Sequence, residues 1–419
     1  MSARGWGEGP PRRETIRRRR LVAAAVGGVI ALALGLGLAL VVFGGSTARS
    51  PRFVPPGPPV ASVITPSTPA TPLRGGAAPA FTPLPAAVSR AASLSLAQQV
   101  AQLFVVSVPG HSAAAAGKLA SAGWGGFVLG RDNFAGDHAV GALAGAMTAS
   151  ARAAQLVPPL IAATQEGGPD TAFPDLPPEG EASIGATGPA QLAGSQAQLA
   201  GQRLRALGVR MTLAPLADVD TTAGALTGRL FSTDPAAVAS FTASAVSAYA
   251  KAGVISAVGH FPGSGGASAD PDQMTATVGG SLNELRSRDL IPFAAVAATA
   301  PVIVMSNAAY VAFDGVTPAS LLPQAVNLLR QGLGYRGVVM SDDLDATIGP
   351  TSSDPGTVAV QALRAGDDLL YITGPSSESQ AAYTAVLTAA RGNSAVRILV
   401  HNALLRVLTL KARYGLLGQ

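Results

Sequence analysis

From about residue 93 to the C-terminus the chain alternates two patterns. Short runs of four to six mostly apolar residues are followed by longer amphipathic, alanine-rich runs. The short runs are 103–108, 126–129, 160–164, 211–215, 255–258, 302–305, 337–340 and 368–372. Their near-continuous apolar character suits parallel strands covered on both faces. Helical periodicity fills the intervals, as at 189–207, 235–252, 281–298 and 356–365. Eight strand–helix units predict an α/β domain of the (β/α)8 TIM-barrel type, which takes ~250 residues or more. A doubly wound open sheet is the alternative that the pattern alone leaves open.

The first ninety residues follow neither pattern. Residues 21–43, LVAAAVGGVIALALGLGLALVVF, carry no charge. As a helix this run is long enough to cross a hydrocarbon core of about 30 Å. Arg17, Arg18, Arg19 and Arg20 precede it, which holds that end in the cytoplasm and sends the rest of the chain outward. The run is longer than the ~7–15-residue apolar core of a signal peptide, so an uncleaved anchor is expected over cleavage near Ser46-Thr47-Ala48. The segment 44–92 is rich in Pro, Ser and Thr and reads as an extended spacer. The expected organisation is a basic tail (1–20), a transmembrane anchor (21–43), a linker (44–92) and a barrel (93–419) on the extracytoplasmic side of the cell membrane.

Charge and composition narrow the partners. The net charge is +5, but the first twenty residues hold seven arginines and two glutamates, which leaves 22 charges of each sign elsewhere. The folded part is formally neutral and offers no footprint for nucleic acid. With no cysteine, disulfides, thiolate metal sites and a cysteine nucleophile are excluded.

Polar residues gather just after the predicted strands: Gln165-Glu166-Gly167-Gly168, Asp218, His260, Asn307 and Ser341-Asp342-Asp343. Barrel active sites form at those strand ends. The sharpest is Gly337-Val338-Val339-Met340-Ser341-Asp342-Asp343-Leu344, an apolar strand ending in adjacent carboxylates. A carboxylate in a barrel mouth can attack an anomeric carbon; on the local sequence alone, Ser341 and Asp342 serve equally well as a helix N-cap. Residues 255–266 read as a strand ending in His260-Phe261-Pro262-Gly263, then a glycine-rich loop that continues to Asp270-Pro271-Asp272.

Taken with Val100-Ala101-Gln102-Leu103-Phe104, Leu213-Ala214-Pro215-Leu216-Ala217-Asp218-Val219, Arg229-Leu230-Phe231 and Asp289-Leu290-Ile291-Pro292-Phe293, these motifs match in order and spacing. The chain resembles the β-N-acetylhexosaminidase branch of glycoside hydrolase family 3. The resemblance implies a retaining mechanism with Asp342 as nucleophile. It implies that Arg229, His260, Asp218 and Glu166 hold the sugar or shape its pocket, and it implies no metal or organic cofactor. The expected substrate is a β-linked amino-sugar glycan, with peptidoglycan fragments as the class, and a monomer is expected.

Departures fall at the sugar and proton-transfer positions. The family's lysine before His-Phe-Pro-Gly is Gly259. Its aspartate before Gln-Glu-Gly-Gly is Thr164, and the arginine after is Pro169. A histidine at the sixth strand end is Ala308. The aspartate–histidine acid/base pair of the loop becomes Asp270 and Asp272. Two expectations follow: either Asp272 or Asp270 serves as acid/base, or the domain binds glycan as a catalytically reduced scaffold.

Overall fold

The computed structural model describes residues 80–417 apart from Pro169 and Ser352. Eight strands build the main sheet: β1 (Phe104–Ser107), β2 (Gly126–Leu129), β3 (Leu160–Ala163), β4 (Met211–Thr212), β5 (Ile255–Phe261), β6 (Val302–Met305), β7 (Val338–Met340) and β8 (Leu370–Ile372). They lie in the order β7-β6-β5-β4-β3-β2-β1-β8, and each neighbouring pair is parallel. At the remaining seam Met340 bridges Leu369 in parallel fashion. Leu369 N donates to Val339 O (3.0 Å) and Ser341 N to Leu369 O (2.9 Å). The result is a nearly closed parallel barrel, consistent with a TIM-type α/β fold.

All eight expected runs are strands, and the differences lie at their ends. β4 stops at Thr212, ahead of Pro215, which has no N–H for a ladder. β5 runs three residues past Val258 and so carries His260 on the strand itself. Every residue of β2, β3 and β6 is buried, which explains why these strands read as apolar runs rather than alternating ones.

The covering helices use small residues to come close. In Ala190–Ala206 and Pro235–Ala252, a Cβ on Gly201 would meet Ala252 Cβ at 2.7 Å, and one on Gly194 would meet Ser244 Oγ at 2.5 Å. The second helix starts on a side-chain cap from Asp234 to Ala236 N, with Pro235 in the first turn, and ends on Gly253 at φ 73°.

Two expectations need correction. The predicted helix 281–298 is two helices, Leu282–Ser287 and Leu290–Val296. Pro292 inside one long helix would remove a hydrogen bond; the break puts it in a first turn, where its missing N–H costs nothing. The break also turns Asp289 inward, where it is buried and paired with Arg288 (3.0 Å). The last residues assigned to the linker are helical as well: Pro85–Ala92 buries Ala87 and Ala91, and Leu84 N donates to Thr409 Oγ1 (3.3 Å).

The expected anchor, 21–43, lies outside the described residues; among those described, no helix is long and apolar enough to cross a membrane. Below the strands, the C-terminal helix Ser394–Arg413 buries Lys411 completely. Its ammonium donates to Gln102 Oε1 (2.7 Å) and Pro158 O (3.0 Å), and burial pulls its pKa down to about 7.

Candidate active site

The C-terminal strand ends surround a cavity of about 160 Å³. Thr164 and Glu166 enter it after β3, Leu213 and Leu216 after β4, and Asp342 and Asp343 after β7. Gly259 and His260 come from β5, Val304 from β6 and Tyr371 from β8, while Asp272 reaches it from the loop after β5. His260 and Asp342, the two residues on which the sugar-cleaving expectation rests, therefore share one cavity.

His260 is aimed from behind by Asp218, which is fully buried. Oδ2 of Asp218 takes the backbone N–H of His260 (3.1 Å) and pairs with its Nδ1 (2.9 Å). Oδ1 takes Ser264 N (2.5 Å). Asp218 does not line the cavity. With Nδ1 engaged, Nε2 stands 4.0 Å from Oδ2 of Asp342. Burial alone would disfavour charge on the imidazole, but Asp218, Asp342 and Asp272 outweigh it and push the His260 pKa up to about 10.

Asp342 keeps its side chain only 10% exposed. Its Oδ1 takes the N–H of Asp343 (2.9 Å), leaving Oδ2 toward the cavity and His260. Burial raises its carboxyl well above the usual carboxylate range, and the nearby Asp272 adds to the rise; His260 and the Asp343 N–H oppose it. Asp343 has a different task. It accepts from Thr373 N (2.9 Å), Asp345 N (3.2 Å) and the Thr373 hydroxyl, tying β7 to the end of β8. Burial pushes its pKa up to about 7 against those bonds. Asn307 supports the same turn, donating from Nδ2 to Asp343 O (2.7 Å) and accepting from Ser320 Oγ (2.7 Å).

Arg229 and Asp270 stand outside the lining. The guanidinium forks onto Glu166, with Nε and Nη2 within 3.2 Å of its carboxylate. Nη1 lies 3.6 Å from Asp270 Oδ2. The structure thus brings Glu166, His260, Asp272 and Asp342 together at the cavity, and sets Asp218, Arg229 and Asp270 one layer back.

Of the departing positions, Gly259 and Thr164 line the cavity, and a Cβ on Gly259 would meet only Val304 Cβ at 3.7 Å. Ala308 is buried away from it, and Pro169 lies outside the described residues. Sequence reasoning missed Tyr371 and Thr373, which close the site from β8. It also missed the buried hydroxyl cluster of Ser264, Ser306 and Tyr310 (Ser264 Oγ to Ser306 Oγ 2.7 Å, to Tyr310 Oη 3.2 Å) that seats the loop after β5. Thr373 follows an apolar run and Tyr371 lies within one; no local signal joins Ser264, Ser306 and Tyr310.

Comparison with known proteins places this geometry. Residues 95–410 match the sequence profile described as "Glycosyl hydrolase family 3 N terminal domain". A "Beta-hexosaminidase" of Stenotrophomonas maltophilia (strain K279a) is 35% identical over 266 residues, covering 61% of this chain and 78% of that protein. "Beta-hexosaminidase LpqI" of Mycobacterium tuberculosis (strain ATCC 25618 / H37Rv) is 31% identical over 362 residues, covering 80% and 88%. Among solved structures, a glycoside hydrolase family 3 β-N-acetylglucosaminidase from Paenibacillus sp. str. FPU-7 is similar at TM-score 0.73 and 31% identity. That match covers 77% of this chain and 63% of the other, so the chain spans a little under two thirds of that structure.

Proposed function

The chain belongs to glycosyl hydrolase family 3, and from that premise we propose that it is a retaining glycosidase acting on β-linked amino-sugar glycans, with peptidoglycan fragments as the substrate class. The observation that carries this reading is the shared cavity of Asp342 and His260 with Asp272 at its wall.

In the proposed cycle, Asp342 Oδ2 forms a bond to the anomeric carbon as the bond from that carbon to the leaving oxygen breaks. The carboxyl proton of Asp272 passes to that oxygen. Water then attacks the same carbon, gives its proton to Asp272, and releases Asp342. His260, held by Asp218, supplies positive charge beside the nucleophile and keeps it ionised. Glu166 is a sugar contact. The domain works outside the cell membrane as a monomer, tethered by residues 21–43 and spaced from the bilayer by the linker.

The test is hydrolysis of aryl N-acetyl-β-glucosaminide and aryl β-glucoside by the full chain and by Asp342→Ala. Loss on the order of 10⁴-fold or more is expected for the variant; activity that survives it removes the nucleophile assignment. A second reading, glycan binding without turnover, draws on Gly259 and Thr164, which leave the cavity without the cationic and acidic sugar contacts that the family resemblance implies. Retained glycan binding with no turnover by the native chain would favour it.

A further inference from the structure

Charge is sorted by height along the barrel. Each covering helix starts near the C-terminal end of one strand and finishes near the start of the next. Lys118, Arg152, Arg205, Lys251, Arg364 and Arg391 lie in the last turns of six helices, all exposed. Asp137, Asp234 and Asp354 stand exposed at the starts of three of the same helices. Among the described residues, the helix-to-strand connections, the last helix and the stretch 80–103 contain two acids, Asp367 and Asp368. Both are buried, and Asp368 is shared between Arg330 and Arg406. The formal neutrality of the domain therefore hides two faces, one acidic around the cavity of Asp342 and one basic beneath the strands.

The basic face also has a hollow. A cavity of about 600 Å³ opens beside the starts of β6 and β7, where Pro301 and Val338 line it. Its charged lining is Arg336, Arg406 and Arg413, with no acid. The Phe81 ring lies 5.0 Å from the guanidinium carbon of Arg406. The described chain begins one residue earlier, at Ala80, on the same wall. Cations in a last turn also offset the helix dipole, which accounts for the six helix ends. It does not account for Arg336, which precedes β7, or for Arg406, which lies well inside its helix. Nor does it explain why this face carries no exposed acid.

We propose that this basic face is an interaction surface for a bilayer of anionic lipid, with a phosphodiester headgroup seated among Arg336, Arg406 and Arg413. Guanidinium groups bind phosphate through paired N–H donors. Each basic residue close to an anionic leaflet strengthens docking roughly fivefold. A lipid surface is favoured over nucleic acid by where the chain is joined. Residues 1–79, with the proposed anchor 21–43 among them, connect to the barrel at Ala80, on this face. The inference rests on the tether in the reading above and not on its chemistry. The linker gives the barrel reach; the charge draws it onto the surface, with the cavity of Asp342 facing away from the lipid.

The experiment uses the full chain with vesicles of phosphatidylcholine alone or mixed with phosphatidylglycerol. The chain has no cysteine, so a single donor dye can be placed at will. Ser121→Cys puts it on the basic face and Val316→Cys in the loop after β6 on the opposite face; both positions are exposed. Energy transfer to a lipid-borne acceptor then measures the height of each face. In mixed vesicles at low salt, transfer from position 121 is expected to exceed that from 316, and ~1 M salt is expected to abolish the difference. Arg364→Gln, Arg391→Gln and Arg413→Gln together are expected to weaken docking about 10²-fold, with the thermal midpoint little changed. If that variant unfolds, the salt and lipid dependence of the native charge pattern still decides. Equal transfer from the two positions in mixed vesicles, or transfer that ignores phosphatidylglycerol, overturns the inference. So does release by a short DNA duplex at matched phosphate, which marks a surface for any polyanion. Flotation with phosphatidylcholine alone reports on the tether. A chain that floats there but shows equal transfer in mixed vesicles keeps the tether and loses the docking surface. One that floats only with phosphatidylglycerol, with transfer from 121 the greater, keeps the docking surface and loses the tether. One that floats with neither loses both.

Discussion

Nε2 of His260 stands 4.0 Å from Oδ2 of Asp342, while Nδ1 of the same ring is held 2.9 Å from buried Asp218. An imidazolium held at one nitrogen by Asp218, with its other nitrogen beside Asp342, bears on when Asp342 is charged. In the proposed cycle Asp342 must be ionised to attack, and burial raises its pKa. The acidic limb of kcat/KM therefore falls at a higher pH than an ordinary carboxylate would give. His260→Ala removes the neighbouring positive charge, so Asp342 holds its proton more firmly and that limb moves to still higher pH. The rate at its plateau is expected to fall roughly 10²-fold as the nucleophile loses its alignment. A pH–rate profile decides the point; a limb that stays put or moves to lower pH would break the link between these two residues.

Gly259 makes the opposite kind of prediction, a gain. The position has open space, with Val304 Cβ at 3.7 Å the only neighbour of an added Cβ. Gly259→Lys is expected to fit without a backbone clash and to bring an ammonium into the cavity. A charged hydrogen bond to sugar hydroxyls contributes about 1.5–3 kcal/mol, so KM for an N-acetyl-β-glucosaminide should drop about tenfold or more. The same cation favours the ionised form of Asp342 and shifts the acidic limb downward. Unchanged KM in a folded variant would show that the missing lysine is not what limits sugar binding.

Lys411 lies far from the cavity and reports on stability alone. Its pKa is about 7 in the fold against 10.5 for a solvated lysine. Between those values the unfolded chain binds the extra proton, so this residue makes stability rise with pH from 7 to 10.5 and leaves it lowest below 7. Lys411→Met removes that dependence. The variant is expected to gain on the native protein as pH falls from 10 to 7. Stranding Gln102 Oε1 and Pro158 O costs about 1–3 kcal/mol, and that cost does not vary with pH. Denaturant unfolding at pH 7 and 10 measures the trend, and an identical gap at both values would contradict it.

The barrel was legible because its strands are buried on both sides and so appear as apolar runs that alternate with periodic helices. His260 and Asp342 were legible because each comes two residues past such a run. What escaped was long-range and polar. Nothing local marks Thr373 as the partner of Asp343, thirty residues upstream, or Tyr310 as the neighbour of Ser264. Asp270 and Arg229 were visible as residues but not in their geometry: only the folded chain shows that they face each other and Glu166 instead of the cavity. The break before Pro292 was visible in principle, since a proline so deep in a helical stretch argues for a new start.

The seam between β7 and β8 has a consequence in time. The end of β7 that bears Asp342 takes its backbone partners from Leu369 and Tyr371, and Asp343 takes its own from Thr373. A nascent chain cannot complete the pocket until synthesis has passed Thr373, 30 residues beyond Asp343. Until β8 arrives, the turn that bears Asp342 has no wall to lean on.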